Sequence, residues 1–412
     1  MTAFVPSAAP AAFLVGGKRT PVGRYGGALS SVRPDDLAAL TIKQVVTDAG
    51  INPADVDEVI LGNANGAGEE NRNVARMAWL LAGFDDTVPG ITVNRLCASG
   101  MSAITMASQM IKAGEADLVL AGGVESMSRA PWVMEKPRTP FAKPGEVFDT
   151  SIGWRFVNPK FTSGELSRDG KATFSMPETA EEVARVDGIT REEADAFAVE
   201  SQRRAAEAVA AGRFAAEIVP VEITDRKGNV TIVDTDEGPR PDTTLESLAK
   251  LRPVVRGGEV VTAGNASSLN DGASAVLVAS ERAIEKYGLT PRARVVTGAS
   301  AGLAPEIMGL GPVPATEKVL ARAGWSVDDL GSVEINEAFA TQSIASIRRL
   351  GLDPEIVNND GGAIALGHPL GSSGARIVIT LLGRMEREGT DKGLATMCIG
   401  VGQGAALLVE RV

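Results

Sequence analysis

Residues 91–123, ITVNRLCASGMSAITMASQMIKAGEADLVLAGG, decide the fold class. Ile91–Asn94 is a short apolar, β-branched run and predicts a buried strand. Ser99–Ala113, rich in Ala, Met and Ile, predicts a helix closing at Gly114. Leu118–Ala121 predicts the following strand, ending in Gly122 and Gly123. Strand, turn, helix, strand is the repeating unit of an α/β fold. Upstream, Val59–Gly62 reads as another buried strand.

The same order recurs near the C-terminus. Ser332–Ile335 is strand-like, and Ile356–Asn358 leads through a glycine-rich turn to a helix at Ala375–Arg387. Leu394–Cys398 then runs as a strand into Gly400, Gly402 and Gly404. Ala98-Ser99-Gly100 opens one helix and Ser372-Ser373-Gly374 the other. Turn glycine and next glycine cluster lie 22 residues apart in the first half (Gly100 to Gly122) and 26 in the second (Gly374 to Gly400). This is a duplicated α/β unit, and two such halves place their turns in one shared cleft.

Between the halves, Arg129–Lys171 holds eight Lys/Arg against five Asp/Glu, a local charge of +3. It also holds six of the 17 aromatic residues, which argues for a functional excursion rather than disorder. Thr190 and Glu193 form a capping box for a helix to Ala211 that stops at Gly212. The middle of the chain is therefore expected to be a loop domain with its own helices.

Composition narrows the function. The 412-residue chain carries a formal charge of −11, so it offers no global footprint for nucleic acid or an anionic membrane. Any anionic ligand must meet a local basic patch. One histidine and two cysteines exclude a four-ligand Cys/His zinc site, an iron–sulfur cluster and a disulfide framework. A reducing, cytoplasmic setting follows. No stretch approaches a membrane span, and Ala8–Gly17 lacks a preceding basic region, so it is expected to be a leader into the first strand, not a signal peptide.

Both cysteines sit at glycine-rich strand ends, where α/β folds gather ligands, and the one histidine sits in a glycine-dense turn before a helix. Cys97 stands at a strand–helix junction. A thiol there faces free backbone N–H groups, which favours its thiolate; packing as a small buried hydrophobe is the equal alternative. His368, in Gly367-His368-Pro369-Leu370-Gly371-Ser372-Ser373-Gly374, is the one side chain whose ordinary pKa suits proton transfer near neutrality. Cys398 lies in Cys398-Ile399-Gly400-Val401-Gly402-Gln403-Gly404. Asn336-Glu337-Ala338-Phe339 follows a strand, where the amide either orients a water or carbonyl or caps a helix. Gly264–Gly272 is a polar turn expected between strand and helix.

These segments, with Gly122–Ser128, resemble the thiolases, the acyl-CoA acetyltransferase family, over essentially the whole chain. The resemblance implies a duplicated five-layer α-β-α-β-α core with an inserted loop domain. It divides the chain into 1–128 with 258–289, an inserted 129–257, and 290–412. It implies that Cys97 takes the acyl group as a thioester, that His368 takes the thiol proton, and that Cys398 is acid and base on the second substrate. One oxyanion hole would be His368 with a water held by Asn336, the other the N–H groups of Cys97 and Gly400. Coenzyme A is then a substrate, with no permanently bound cofactor or metal, and a homodimer or homotetramer is implied.

For coenzyme A and acyl contacts, the resemblance points to Ser267 near the pantetheine, Arg240 near the adenine and Met176 at the acyl end. Ser175, Pro177 and Ser268 depart from the histidine and glycines common in the family. Residues 151–159, 175–179 and 240–244 resemble the β-ketoadipyl-CoA thiolases of aromatic-compound breakdown, which make succinyl-CoA and acetyl-CoA. Arg155 is the candidate for a substrate carboxylate, with a surface or phosphate-facing role as the alternative. A thiolase acting on acetoacetyl-CoA or on general 3-ketoacyl-CoA is the second enzyme reading, and an inactive coenzyme A-binding homologue the non-enzyme one. A decarboxylating ketosynthase needs two histidines, and the chain has one.

Overall fold

The computed structural model describes residues 10–137, 139–163, 165 and 171–412. Ala8 and Ala9 of the N-terminal segment, and Arg138 and Arg168 of the basic excursion, lie outside them. Among the described residues no helix is long and apolar enough to cross a membrane.

In the N-terminal half, β1 (Ala12–Arg19), β2 (Glu58–Gly62), β3 (Gly90–Val93), β4 (Leu118–Ser126) and β5 (Asn270–Ser280) align in the order β3-β2-β4-β5-β1. The pairs β3–β2 and β2–β4 are parallel, and β4–β5 and β5–β1 antiparallel. The C-terminal half repeats the plan with β6 (Ala293–Gly302), β7 (Ser332–Ile335), β8 (Lys392–Ile399) and β9 (Gln403–Arg411). Here β7 pairs parallel with β8, then β8–β9 and β9–β6 run antiparallel. A lone parallel bridge, Val333 to Val357, stands where the first half has a full strand. The halves join through Phe13 opposite Arg294 and Leu14 opposite Ala293.

Helices α3 (Ser99–Ala113) and α8 (Leu370–Glu388) lie between the two half-sheets in one core that includes Ile104, Val119, Ile377 and Leu407. Helices α1 (Pro34–Ala49) and α2 (Val74–Leu81) cover the outer face of the first half. Helices α6 (Pro312–Ala323) and α7 (Ala340–Leu350) cover that of the second. The result is five layers, α-β-α-β-α. Being sandwiched, α8 is apolar on more than one side, with Ala375, Ile377, Val378, Ile379, Leu381 and Leu382 all buried. The intervening α4 (Met176–Asp187) and α5 (Arg191–Ala210) pack on α7. The capping box forms as read: Thr190 N–H donates to the Glu193 carboxylate at 2.9 Å, and Glu193 N–H to Thr190 Oγ1 at 3.2 Å.

Several boundaries differ from the sequence reading, each for a packing reason. β4 does not end at Gly122 but runs on to Ser126. A Cβ on Gly122 would lie 2.0 Å from the Ser274 carbonyl oxygen, and one on Gly123 2.0 Å from that of Gly371. The glycines are therefore strand residues chosen for close approach. α8 begins at Leu370, so Ser372-Ser373-Gly374 is its first turn rather than a loop before it. A Cβ on Gly374 would sit 2.4 Å from Met101 N, and one on Gly100 2.7 Å from Gly371 O, so the two helices touch backbone to backbone. Residues 356–358 form no strand beyond the Val357 bridge. Asn270–Gly272, expected in a turn before a helix, opens β5.

Adding a methyl at this crossing tests it. Gly123→Ala is expected to lower stability by about 2 kcal/mol or more in chemical denaturation, the scale of core overpacking. Gly16→Ala, with open space around the added atom, is the control and is expected to change little.

Candidate active site

Cys97 occupies a one-turn 3-10 segment, Leu96–Ala98, between β3 and α3. Ser99 holds this turn: its hydroxyl accepts from Arg95 N–H at 2.9 Å and donates to the Leu96 carbonyl at 2.6 Å. Leu96 is held at φ +48, which turns Cys97 toward a cavity of about 240 Å³. Burial pushes the thiol up to about 11, although Gly400 N–H and its own N–H face it and oppose the shift. Desolvation thus opposes the thiolate that the strand–helix junction was expected to favour, and the thiol needs a base.

His368 lies directly before α8, and its ring is fixed by its neighbours. Ser373 Oγ donates to the Pro369 carbonyl at 2.9 Å and approaches His368 Nδ1 at 2.6 Å. With its one proton committed to Pro369, the hydroxyl accepts from Nδ1–H, which leaves Nε2 bare. The His368 N–H donates to Asn270 Oδ1 at 2.9 Å. Burial, reinforced by the Arg376 guanidinium, pushes the imidazole down to about 3, so it is neutral and able to accept a proton. Asn336 Nδ2 stands 3.4 Å from Nε2. Its Oδ1 is buried and has no hydrogen-bond partner among the described residues.

Cys398, one residue before the end of β8, lies in a small apolar cluster with Met308, Phe339 and Met176. Burial raises its thiol, and a thiolate at Cys97 would raise it further, which places the two sulfurs in each other's field. α8, which starts two residues after His368, and β8, which bears Cys398, both pack on the Leu96–Ala98 turn, so these segments converge on the Cys97 turn, while His368, Cys398 and Asn336 do not line the cavity itself. Met176, Ser175, Gly400 and Arg155 line the cavity with Cys97. Arg155 Nη2 donates to Asn65 Oδ1 at 3.3 Å. The departure at Ser175 has a local cause: the Glu178 carboxylate accepts from both its N–H and its hydroxyl at 2.7 Å, starting α4.

Ser267 and Arg240 do not line this cavity. Ser267 is tied to the site indirectly, its N–H donating to the Ala338 carbonyl at 2.9 Å beside the Ala266–Phe339 bridge. Arg240 is exposed, with its backbone N–H on Gln202 Oε1 at 2.7 Å. The basic excursion is partly spent within the protein, since Arg129 pairs with Glu69, and Lys171 with Glu182 at 2.9 Å.

Sequence reasoning missed Ser373, Asn270 and Glu125. Glu125 lines the cavity and accepts from Ala64 N–H and Gly371 N–H, each at 2.9 Å. Burial pushes its carboxyl up to about 7 against those N–H groups. A Gly298-Ala299-Ser300-Ala301-Gly302 run has the spacing of a hydrolase nucleophile elbow, but it lies inside continuous β6 and forms no strand-to-helix turn.

Residues 12–282 match the family model "Thiolase, N-terminal domain" and residues 289–411 "Thiolase, C-terminal domain". The chain is 56% identical to the beta-ketoadipyl-CoA thiolase of Pseudomonas aeruginosa over 403 residues, covering 97% of this chain and 99% of that one. It is 54% identical over 404 residues to the 3-oxoadipyl-CoA/3-oxo-5,6-dehydrosuberyl-CoA thiolase of Escherichia coli, with 97% and 99% covered. Among solved structures, Bacillus anthracis acetyl-CoA acetyltransferase superposes with a TM-score of 0.90 at 41% identity, covering 99% of this chain and all of that one. Human mitochondrial 3-ketoacyl-CoA thiolase in complex with CoA gives 0.89 at 40%, with 98% of both chains covered.

The single histidine makes its protonation directly readable. In an NMR titration, the His368 Cε1–H resonance is expected to stay at its neutral position from pH 8 down to pH 5. A midpoint at the unperturbed value of about 6.5 would contradict the buried geometry. Because the folded value lies below the unfolded one, this group contributes stability above about pH 6.5 that is lost as pH falls toward its folded value.

Proposed function

The chain belongs to the thiolase family, and from that premise we propose that it cleaves 3-oxoadipyl-CoA with coenzyme A, giving succinyl-CoA and acetyl-CoA. It is an acyltransferase. The observation that carries the substrate reading is Arg155, half-buried in the cavity that holds Cys97. A guanidinium there suits a terminal carboxylate, which it binds in a fork.

Our mechanism runs in two halves. Cys97 Sγ attacks the 3-keto carbon while its proton passes to His368 Nε2. Both groups rest neutral, so the proton moves as the S–C bond forms rather than before it. The N–H groups of Cys97 and Gly400 receive the developing alkoxide. The C2–C3 bond then breaks, leaving an acyl-Cys97 thioester and the enolate of acetyl-CoA. Cys398 S–H protonates C2 of that enolate. His368, now protonated, and a water that donates one O–H to Asn336 Oδ1 and the other to the substrate hold the enolate oxygen. In the second half, coenzyme A gives its thiol proton to the Cys398 thiolate and attacks the acyl-Cys97 carbonyl. Cys97 leaves and recovers its proton from His368, so every group returns to its starting state.

Arg240 and Ser267 belong, on this reading, to the coenzyme A path outside the acyl cavity. The exposed Lys136, Lys143 and Lys160 supply positive charge to an acidic protein that receives an anionic ester. We further take the working form to be a cytoplasmic homodimer or homotetramer, and the chain to divide at 129–257 as an inserted loop domain.

The expected preference is a kcat/KM for thiolysis of 3-oxoadipyl-CoA above that of acetoacetyl-CoA; the reverse order sinks the dicarboxylate reading. Arg155→Met is expected to lower the 3-oxoadipyl value ~10–100-fold, the worth of a charge-assisted hydrogen bond, and to spare acetoacetyl-CoA. Intact-mass spectrometry after brief substrate exposure is expected to find an acyl adduct on the wild type and none on Cys97→Ala.

A further inference from the structure

The loop between β8 and β9 holds a side chain that its own backbone disfavours. Val401 sits at φ +64, in the left-handed region that a β-branched residue rarely enters. Its two glycine neighbours have reasons to be glycine. A Cβ on Gly402, at φ +74, would lie 2.3 Å from the Leu303 carbonyl oxygen, and one on Gly400 3.2 Å from Leu96 Cδ1. At Val401 glycine is the residue the backbone asks for, yet valine is present.

Packing does not compensate. Val401 is 40% exposed and belongs to none of the buried apolar clusters. What Val401 does is line the cavity, together with Leu96, Cys97, Met176 and Arg155. Strain held without a packing return, at a residue facing a reaction cavity, marks a side chain retained for what enters that cavity.

We propose that Val401 is a specificity-determining residue whose isopropyl group narrows the acyl cavity and selects straight acyl chains over branched ones. The assignment rests on reading this cavity as the acyl site. Unlike Arg155, which addresses the far end of the substrate by charge, Val401 acts by shape. Its place directly after Gly400 puts that shape beside the N–H that faces the Cys97 thiol.

An isomeric pair of substrates isolates the effect. 3-Oxohexanoyl-CoA transfers a straight butyryl group to Cys97, and 4-methyl-3-oxopentanoyl-CoA transfers branched isobutyryl from the same atoms. The wild type is expected to favour the straight isomer in kcat/KM. Val401→Gly is expected to lower the straight-to-branched ratio about tenfold, the scale set by a methyl or two in an apolar pocket, and Val401→Ala to move it the same way by less. Both rates are read on one preparation, so any loss of folded protein cancels from the ratio. A ratio within twofold of wild type in Val401→Gly overturns the assignment while leaving the acyl reading intact. A wild type that cleaves neither isomer nor 3-oxoadipyl-CoA overturns the acyl reading, and the assignment with it.

Discussion

The molecule depends on one contact: α3 and α8 crossing with main chain against main chain at their glycines. At Gly100, Gly371 and Gly374, and again where Gly123 of β4 meets Gly371, main chain rests on main chain. Protein interiors are packed too densely for such an approach to be widened by even a methyl. The closeness is what brings two helix N-termini from opposite halves of the chain into one cleft. Cys97 comes with one and His368 with the other. Neither half holds all of Cys97, His368 and Cys398, and the seam is where their segments meet.

Burial at the seam sets the chemistry. Desolvation keeps both the Cys97 thiol and the His368 imidazole neutral at rest. The structure answers with orientation in place of charge. Ser373 directs the imidazole proton to Nδ1, Asn270 anchors the backbone of His368, and Gly400 N–H waits opposite the sulfur. Glu125 ties the same seam together by accepting from Ala64 on one side and Gly371 on the other. On the proposed mechanism, charge appears only once a substrate carbonyl is present to receive it.

Much of this was legible in the chain. The α3 boundaries, Ser99 to Ala113 with Gly114 behind, follow from a run of small and apolar helix formers ended by a glycine in the left-handed region. The Cys97, His368 and Cys398 segments stand out because those residue types are so scarce. What was hidden shares one cause. Gly371, Ser372, Ser373 and Gly374 have turn chemistry locally, and only the contact with α3 makes them a helical turn. Gly122 and Gly123 read as a strand end because their reason, the carbonyls of Ser274 and Gly371, lies on distant segments. Glu125 gave no signal, since its partners sit 61 and 246 residues away.

The basic, aromatic excursion and the loop bearing Val401 surround the cavity, but neither takes part in the α3–α8 crossing. The Val401 side chain and the excursion can therefore change by substitution, and the excursion by insertion, while Cys97, His368 and Cys398 keep their places. A duplicated frame that tolerates no new atom at its centre is, by the same geometry, free to diverge at its rim. New acyl preferences can arise on it in small steps, each leaving the bond-breaking apparatus intact.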